Sequence, residues 1–384
     1  MKHLKYGSGI DMSKEKFDAC LGLTSQEGGF QKVSTMQFTN SIAGFKQYCV
    51  WIKKHCKYPL PLVHLMEATG IYYENLAMYL VVQEQQMVSV VLPNKVKKYK
   101  ESLGFKSKTD GIDALAISQM CCEQTLRPWK APDAKMYGMR LITRQIESIT
   151  AQTTAVKNQL EALTHSMFQN KQVEKLLDNQ VKFLNKQKAE LLKSLEQLIA
   201  NDPELKVKFD NIKIIKGLDT LSIATVVAET NGFDLFENEA QVVSYSGYDV
   251  VENQSGKHIG KTKISKKGNG RIRRSLHFPA LNVVRYKVYP FVQLYERVYD
   301  KSKIKMKGYT AVQKKLLIII YTLWKKNEPF RKNHQQDKIS KEMEKELSLV
   351  SASQKQELKK VAPAKTEATQ DKHPSKHRSM PSLV

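Results

Sequence analysis

Acidic residues are scarce in this chain of 384 residues: 38 Asp and Glu stand against 62 Lys and Arg, leaving a formal net charge of +24. Such a surplus is the electrostatic footprint of a chain that meets a polyanion, with nucleic acid the first expectation. Long apolar runs are missing as well. Nothing approaches the ~18 residues of a membrane-spanning helix. The start, Met1-Lys2-His3-Leu4-Lys5-Tyr6, runs into a Gly-containing strand rather than a secretory leader, so no membrane role and a cytoplasmic location are expected. The five cysteines (Cys20, Cys49, Cys56, Cys121, Cys122) contain no CxxC pair, which speaks against a zinc module, and reduced thiols suit the cytosol. Cys49, His55 and Cys56 lie close together, but in an apolar helical pattern with Phe45, Tyr48 and Trp51, and read as core or boundary residues. Gly and Pro are missing from Leu141 through Ala200. There Leu141, Ile146, Ile149, Val156, Leu160 and Leu163, then Leu176, Leu177, Leu184, Leu191, Leu195 and Leu198, recur at spacings near three and four. That pattern predicts a long helical hairpin or coiled coil, a spacer or oligomerisation arm, and a homo-oligomer (dimer or tetramer).

What the chain does have is four acids at places where elements begin or end. Asp11 stands in Gly9-Ile10-Asp11-Met12-Ser13-Lys14, followed by Phe17 to Leu23, which reads as two strands and a tight turn. Glu67 ends the apolar run Leu60 to Met66, ahead of the turn Ala68-Thr69-Gly70. Asp110 and Asp113 lie in Lys108-Thr109-Asp110-Gly111-Ile112-Asp113-Ala114, where Thr109 or Asp110 caps a helix and a three-residue spacing puts both acids on one face. Acids at strand and helix ends are ordinary turn and cap residues one at a time. As a set they are a candidate site for Mg²⁺, which takes oxygen ligands and pairs with substrate phosphates.

Fold class is expected to be α/β plus α. Residues 1–130 read as three strands (Lys5 to Asp11, Phe17 to Leu23, Gly29 to Phe38), a helix from Ser41 to Cys56, a strand ending at Glu67, a helix from Tyr72 to Gln85, a strand from Met87 to Leu92, and a helix from Asp110. Three hairpin-linked strands followed by alternating helices and strands form an RNase H-like pattern. Residues 131–200 are the arm. Residues 201–330 are mainly helical, opening with a helix, the turn at Gly217 and a second helix. Residues 331–384 carry 12 Lys and Arg against 7 Asp and Glu with no aromatic residue, and are expected to be a largely disordered charged tail.

Cations gather in two places. Lys95, Lys97, Lys98, Lys100, Lys106 and Lys108 interleave with Tyr99 and Phe105. Lys257, Lys261, Lys266, Lys267, Arg271, Arg273 and Arg274 line a Gly-rich basic loop from Tyr245 into a helix near Gly270. Both suit a phosphate backbone. Ser255, beside Gly256 and followed by these cations, is placed as a nucleophile is, although a serine next to glycine also serves as a turn residue.

Taken together, Gly9-Ile10-Asp11-Met12-Ser13-Lys14, Glu67-Ala68-Thr69-Gly70, Lys108 to Ala114, and Ser255-Gly256 with Ile264-Ser265-Lys266-Lys267-Gly268-Asn269 resemble the DEDD transposases. These are the one-hundred-and-ten family of bacterial insertion sequences, related to the Piv site-specific invertases. The resemblance spans residues 5 to about 325. It implies an N-terminal RuvC-like catalytic domain, a coiled-coil arm and a C-terminal transposase domain. It further implies that Asp11, Glu67, Asp110 and Asp113 bind Mg²⁺ and that Ser255 attacks a DNA phosphate, giving a phosphoserine that a second DNA end resolves. Donor and target DNA are the implied substrates, and some relatives use an element-encoded structured guide RNA. Many relatives carry a small residue or serine just before the nucleophile, where this chain has Gln254, so Ser246 and Ser265 stay as weaker alternatives. Two other functions fit the residues: a RuvC-like metal-dependent nuclease such as a junction resolvase, and a non-catalytic nucleic-acid-binding protein.

Overall fold

The computed structural model describes residues 5–24, 29–104, 110–252, 254, 255, 258–260 and 262–331. They form two compact units. The first contains the described residues up to Leu198 together with Val227–Glu237; the second contains Ile199–Val226 and those from Asn238 onward.

In the first unit, strands β1 (Tyr6–Met12), β2 (Lys16–Thr24), β3 (Phe30–Thr39), β4 (Leu62–Glu67) and β5 (Met87–Val91) make one mixed sheet in the order β3-β2-β1-β4-β5. The first three are antiparallel neighbours; β1, β4 and β5 run parallel. Helix α1 (Ile42–His55) lies between β3 and β4 and α2 (Glu74–Met78) between β4 and β5; α3 (Pro93–Ser102), α4 (Asp110–Glu123), α5 (Ala134–Thr164) and α6 (Lys171–Ala200) follow β5. The element order expected from the sequence is therefore present. Two details differ. The helix expected from Tyr72 to Gln85 is α2 followed by a π-helical turn (Tyr79–Gln83), and the lysine stripe from Lys95 is partly a helix, α3, begun by Pro93 at its first position.

Period-two alternation decides what each face of the sheet holds. Tyr6, Ile10, Met12 and Phe17 pack with Phe45, Tyr48, Trp51 and Ile52 of α1. Burying each such aromatic or aliphatic side chain stabilises by about 1.5–3 kcal/mol. Ser41 caps α1 by accepting from the Gly44 amide, and Lys53, Lys54 and His55 sit in its last turn, where the helix dipole favours cations. Cys49 is buried in this core, as expected. Val63, Leu65 and Val96 pack on the opposite face with Ile117, Met120 and Cys121 of α4. The edge strand β3 is mostly exposed and polar, which discourages pairing with another sheet.

Helices α5 and α6 pack through Ile149, Val156, Val181 and Leu184, with Leu177 and Leu191 alongside. Gly138 near the start of α5 lies by Leu198 near the end of α6, so the two run antiparallel. Arg144 of α5 donates through Nε and Nη2 to the Glu229 carboxylate at 2.7 and 3.0 Å.

The second unit contains α7 (Pro203–Lys213), most of α8 (Thr220–Glu229), α9 (Glu239–Tyr245), α10 (Gly270–Ser275), α11 (His277–Arg285), α12 (Phe291–Ser302) and α13 (Lys305–Lys326). Between α9 and α10 lie four two-residue strands, β6 (Val250–Val251), β7 (Gln254–Ser255), β8 (His258–Ile259) and β9 (Lys263–Ile264). Val312, Leu316, Leu317, Ile320 and Trp324 give α13 a buried face. Among the described residues no helix is long and apolar enough to cross a membrane.

Candidate active site

Asp11 is the penultimate residue of β1 and Glu67 the last of β4. The strands are parallel, with Ile10 in register with Met66. Asp11 and Glu67 each stand one residue beyond that pair, at the same end of two strands that lie about 4.8 Å apart. By alternation Asp11 shares a face with Gly7 and Gly9, and Glu67 shares one with Val63 and Leu65, the face that α4 covers.

The position of α4 follows from two residues without side chains. A Cβ on Gly9 would fall 2.0 Å from the Ser118 amide nitrogen and 2.4 Å from the Ala114 carbonyl oxygen. A Cβ on Gly7 would fall 2.7 Å from Sγ of Cys122. The helix thus lies directly on β1 and runs opposite to it, and the Ser118 hydroxyl pins it by donating to the Gly7 carbonyl at 2.7 Å. From Ala114 back to Asp110 the helix advances about 6 Å. From Gly9 to Asp11 the strand advances about 6.6 Å. The two advances match, so the first turn of α4, with Asp110 and Asp113, arrives at the strand end that carries Asp11 and Glu67.

Protein groups engage carboxylates of this set. The Thr69 hydroxyl donates to Oε1 of Glu67 at 2.8 Å, and Lys100 of α3 forms an ion pair with Asp113, both side chains about one-fifth exposed or less. Sequence reasoning placed Lys100 among the nucleic-acid contacts; here its ammonium is held by the acid. The donor set is all oxygen, which fits a hard divalent cation and not a thiophilic one. Among the described residues no three His, Cys, Asp or Glu side chains already stand close enough together to hold a metal. The Asp110 side chain lies outside the described residues.

Under the same two strands, on the α1 face, runs a buried polar chain that the sequence did not reveal. Ser8 of β1 and His64 of β4 are register partners. The Tyr48 hydroxyl lies 2.6 Å from Oγ of Ser8 and 2.6 Å from Nδ1 of His64. Burial lowers the His64 pKa to about 4, because desolvation penalises the imidazolium.

In the second unit the basic loop is a hairpin. β6 pairs with β9, and β7 pairs with β8 with Ser255 opposite His258. The base is fixed by the Ser265 amide donating to the Asp249 carbonyl at 2.8 Å and by the Ser265 hydroxyl donating to Oδ1 of Asp249 at 3.1 Å. Ser246 is fully buried, and its carbonyl accepts from Nη1 of Arg273 at 2.7 Å. Both alternative serines are thus tied into the support of the hairpin. Asn269 caps α10, its Oδ1 accepting from the amides of Arg271 and Ile272.

Of the predicted cations, Lys95, Lys97, Lys98, Lys266, Lys267 and Arg274 are exposed, whereas Arg271 and Arg273 are half-buried. Lys106, Lys108, Lys257 and Lys261, like the charged tail from residue 332, lie outside the described residues.

Two family models match the chain. Residues 8–169 fit the DEDD model described as a transposase, and residues 210–296 fit that of the transposase IS116/IS110/IS902 family. The pilin gene-inverting proteins of Moraxella bovis and Moraxella lacunata are each 29% identical to it over 330 residues, covering 84% of this chain and 97% of theirs. Solved structures of Thermus thermophilus RuvC, alone and in complex with a Holliday junction substrate, are 13% identical and cover 32% of this chain and 99% of theirs, with TM-scores of 0.26 and 0.25.

Proposed function

Because the chain belongs to the DNA transposase family that includes IS116, IS110 and IS902, we propose that it cuts and rejoins DNA through a phosphoserine formed on Ser255, with Asp11, Glu67, Asp110 and Asp113 as ligands for Mg²⁺. The observation that carries this reading is the meeting of three sequence-distant acidic segments at one end of the β1–β4 pair, made possible by the Gly7–Gly9 face under α4. Bound magnesium would neutralise charge on a DNA phosphate. The remaining work falls to the chain itself. The Ser255 oxygen attacks the phosphorus, the bridging bond to a deoxyribose oxygen breaks, and that oxygen leaves with a proton. The bond energy stays in the phosphoserine until a hydroxyl from a second DNA end attacks in turn and frees the serine.

We assign residues 1–130 to the RNase H-like, RuvC-like catalytic domain, 131–200 to a coiled-coil arm that supports a homo-oligomer, and 201–330 to the serine-bearing transposase domain. Exposed lysines of α3 and of the segment before α10 bind the backbone of DNA and of an element-encoded guide RNA, in the bacterial cytoplasm at the nucleoid. The relatives named for inverting a pilin gene support rearrangement of DNA as the outcome.

The test is to incubate the protein with Mg²⁺, labelled donor DNA and RNA transcribed from its flanking sequence, then look for a protease-sensitive protein–DNA adduct. The adduct should be lost in Ser255→Ala and in Asp11→Asn, with DNA binding kept in both. Metal-dependent cleavage with no adduct at all would replace this reading by a hydrolytic nuclease, and strand exchange retained in Ser255→Ala would remove Ser255 as nucleophile.

A further inference from the structure

The corner between α12 and α13 holds three tyrosines that no step above uses. Tyr295 and Tyr299, one turn apart on α12, have rings 5.9 Å apart and inclined by only 4°. Tyr309 of α13 brings its ring to 4.6 Å from that of Tyr295. This close approach is built in by Gly308, where a Cβ would lie 2.7 Å from the Tyr295 ring. Lys303 places Nζ over Tyr299, 5.8 Å from the ring centre, and ends α12 in the left-handed conformation at φ 52°, unusual for a residue other than glycine.

The surroundings show what such a corner suits. All three rings are half-buried, not sealed in a core, and Ile304 and Met306 beside them are 49% and 53% exposed. Arg297, Lys301, Lys303, Lys305 and Lys307 are exposed on the same short stretch, against Glu296 and Asp300. Asp300 meets Lys303 in an ion pair open to solvent, too weakly held to resist a stronger anion. Flat aromatic surface within a cationic rim is the combination that holds unpaired nucleotides: the rings stack on a base of any identity, and the cations follow its backbone. A purely duplex-binding surface has no use for the rings, since paired bases present no free face to them.

We propose that the α12–α13 corner is a stacking site for an unpaired nucleotide, with Tyr299 as the platform and Lys303 and its neighbours holding the adjoining phosphates. The proposal rests on the chain being a DNA recombinase, whose reaction exposes unpaired strands, and it names a contact which that reading leaves open. Because the rest of this basic chain also binds nucleic acid, the test must locate the contact. The full-length protein is irradiated with single strands carrying 5-iodouracil, one a deoxyribo-oligonucleotide and one a ribo-oligonucleotide, and the cross-linked peptide is mapped. A cross-link within residues 291–309 is expected with at least one of the two, and the stronger arm identifies DNA or RNA as the source of the strand. Tyr299→Phe should keep it, whereas Tyr299→Leu, shown folded by its unchanged melting temperature, should lower its yield about tenfold. Cross-links that map only elsewhere, or a yield unchanged in Tyr299→Leu, would overturn the proposal. Neither result touches the Ser255 adduct with duplex donor DNA, so failure here is separable from failure of the recombinase reading.

Discussion

Gly9 and Ser118 are in backbone contact: a Cβ on the glycine would sit 2.0 Å from the serine amide nitrogen. This approach sets the height of α4 above β1, and with it the distance of Asp110 and Asp113 from Asp11. The obstruction is backbone, not the flexible end of a side chain. Gly9→Ala should therefore destabilise the protein by at least about 3 kcal/mol, the upper end of ordinary overpacking, and should abolish adduct formation even in the fraction that remains folded. Thermal melts and the adduct assay check the two parts separately. A variant that melts like the parent would mean that α4 does not rest on β1 as described.

Lys100 and a divalent cation compete for one carboxylate. The ammonium is paired with Asp113, so magnesium binding must displace it or share the acid with it. Lys100→Met removes both the competitor and a positive charge beside the site. It should lower the Mg²⁺ concentration at half-saturation on the order of tenfold, since only ~1.4 kcal/mol of relieved competition is needed for that factor. Melting temperature followed through a Mg²⁺ titration reads this without DNA, and Asp113→Asn should weaken the response. Equal midpoints for Lys100→Met and the parent would take Asp113 out of the metal site.

His64 makes stability depend on pH. Its folded-state pKa is about 4 against an ordinary 6.5, so the unfolded chain binds a proton more readily than the folded one. The stability contribution is whole above pH 6.5 and declines as pH falls from there towards 4. At pH 5 the loss should be about 2 kcal/mol from this residue. Urea unfolding at pH 7 and pH 5, compared between the parent and His64→Gln, isolates it. If the variant loses as much stability as the parent on acidification, His64 is not buried as the neutral imidazole.

The order of elements along the chain, the α1 core and the long helices were legible because their signals are local: alternation in β1 and β2, three-and-four spacing in α1, α5 and α6. The acids at strand ends were legible for the same reason. That Asp11 and Glu67 share a face with α4 was not, because it depends on Gly7 and Gly9 acting as a bearing surface, and glycine in a strand signals a weak position before it signals contact. The Ser8–Tyr48–His64 chain was hidden because it links residues 40 and 16 apart, with Tyr48 read only as part of an apolar helical face. The Gly-rich stretch after Tyr248 suggested a loop without regular structure. Its strands of only two residues carry too little pattern to be read without their partners.

Arg144 and Glu229 join residues 85 apart with two hydrogen bonds, and the two ends differ in burial. The Glu229 side chain is 2% exposed and that of Arg144 is 37%. Removing the guanidinium therefore takes the cation of the pair away from a carboxylate that water barely reaches, whereas removing both charges leaves neither end of the pair behind. Arg144→Met should cost about 3 kcal/mol or more, as expected when one partner of a buried pair is deleted. Arg144→Met with Glu229→Leu should recover most of that loss. A double-mutant cycle by urea unfolding measures both. A single variant as stable as the parent would show that the remaining contacts of Glu229 already satisfy its carboxylate, and that the 227–237 segment is held to α5 by packing and not by this pair.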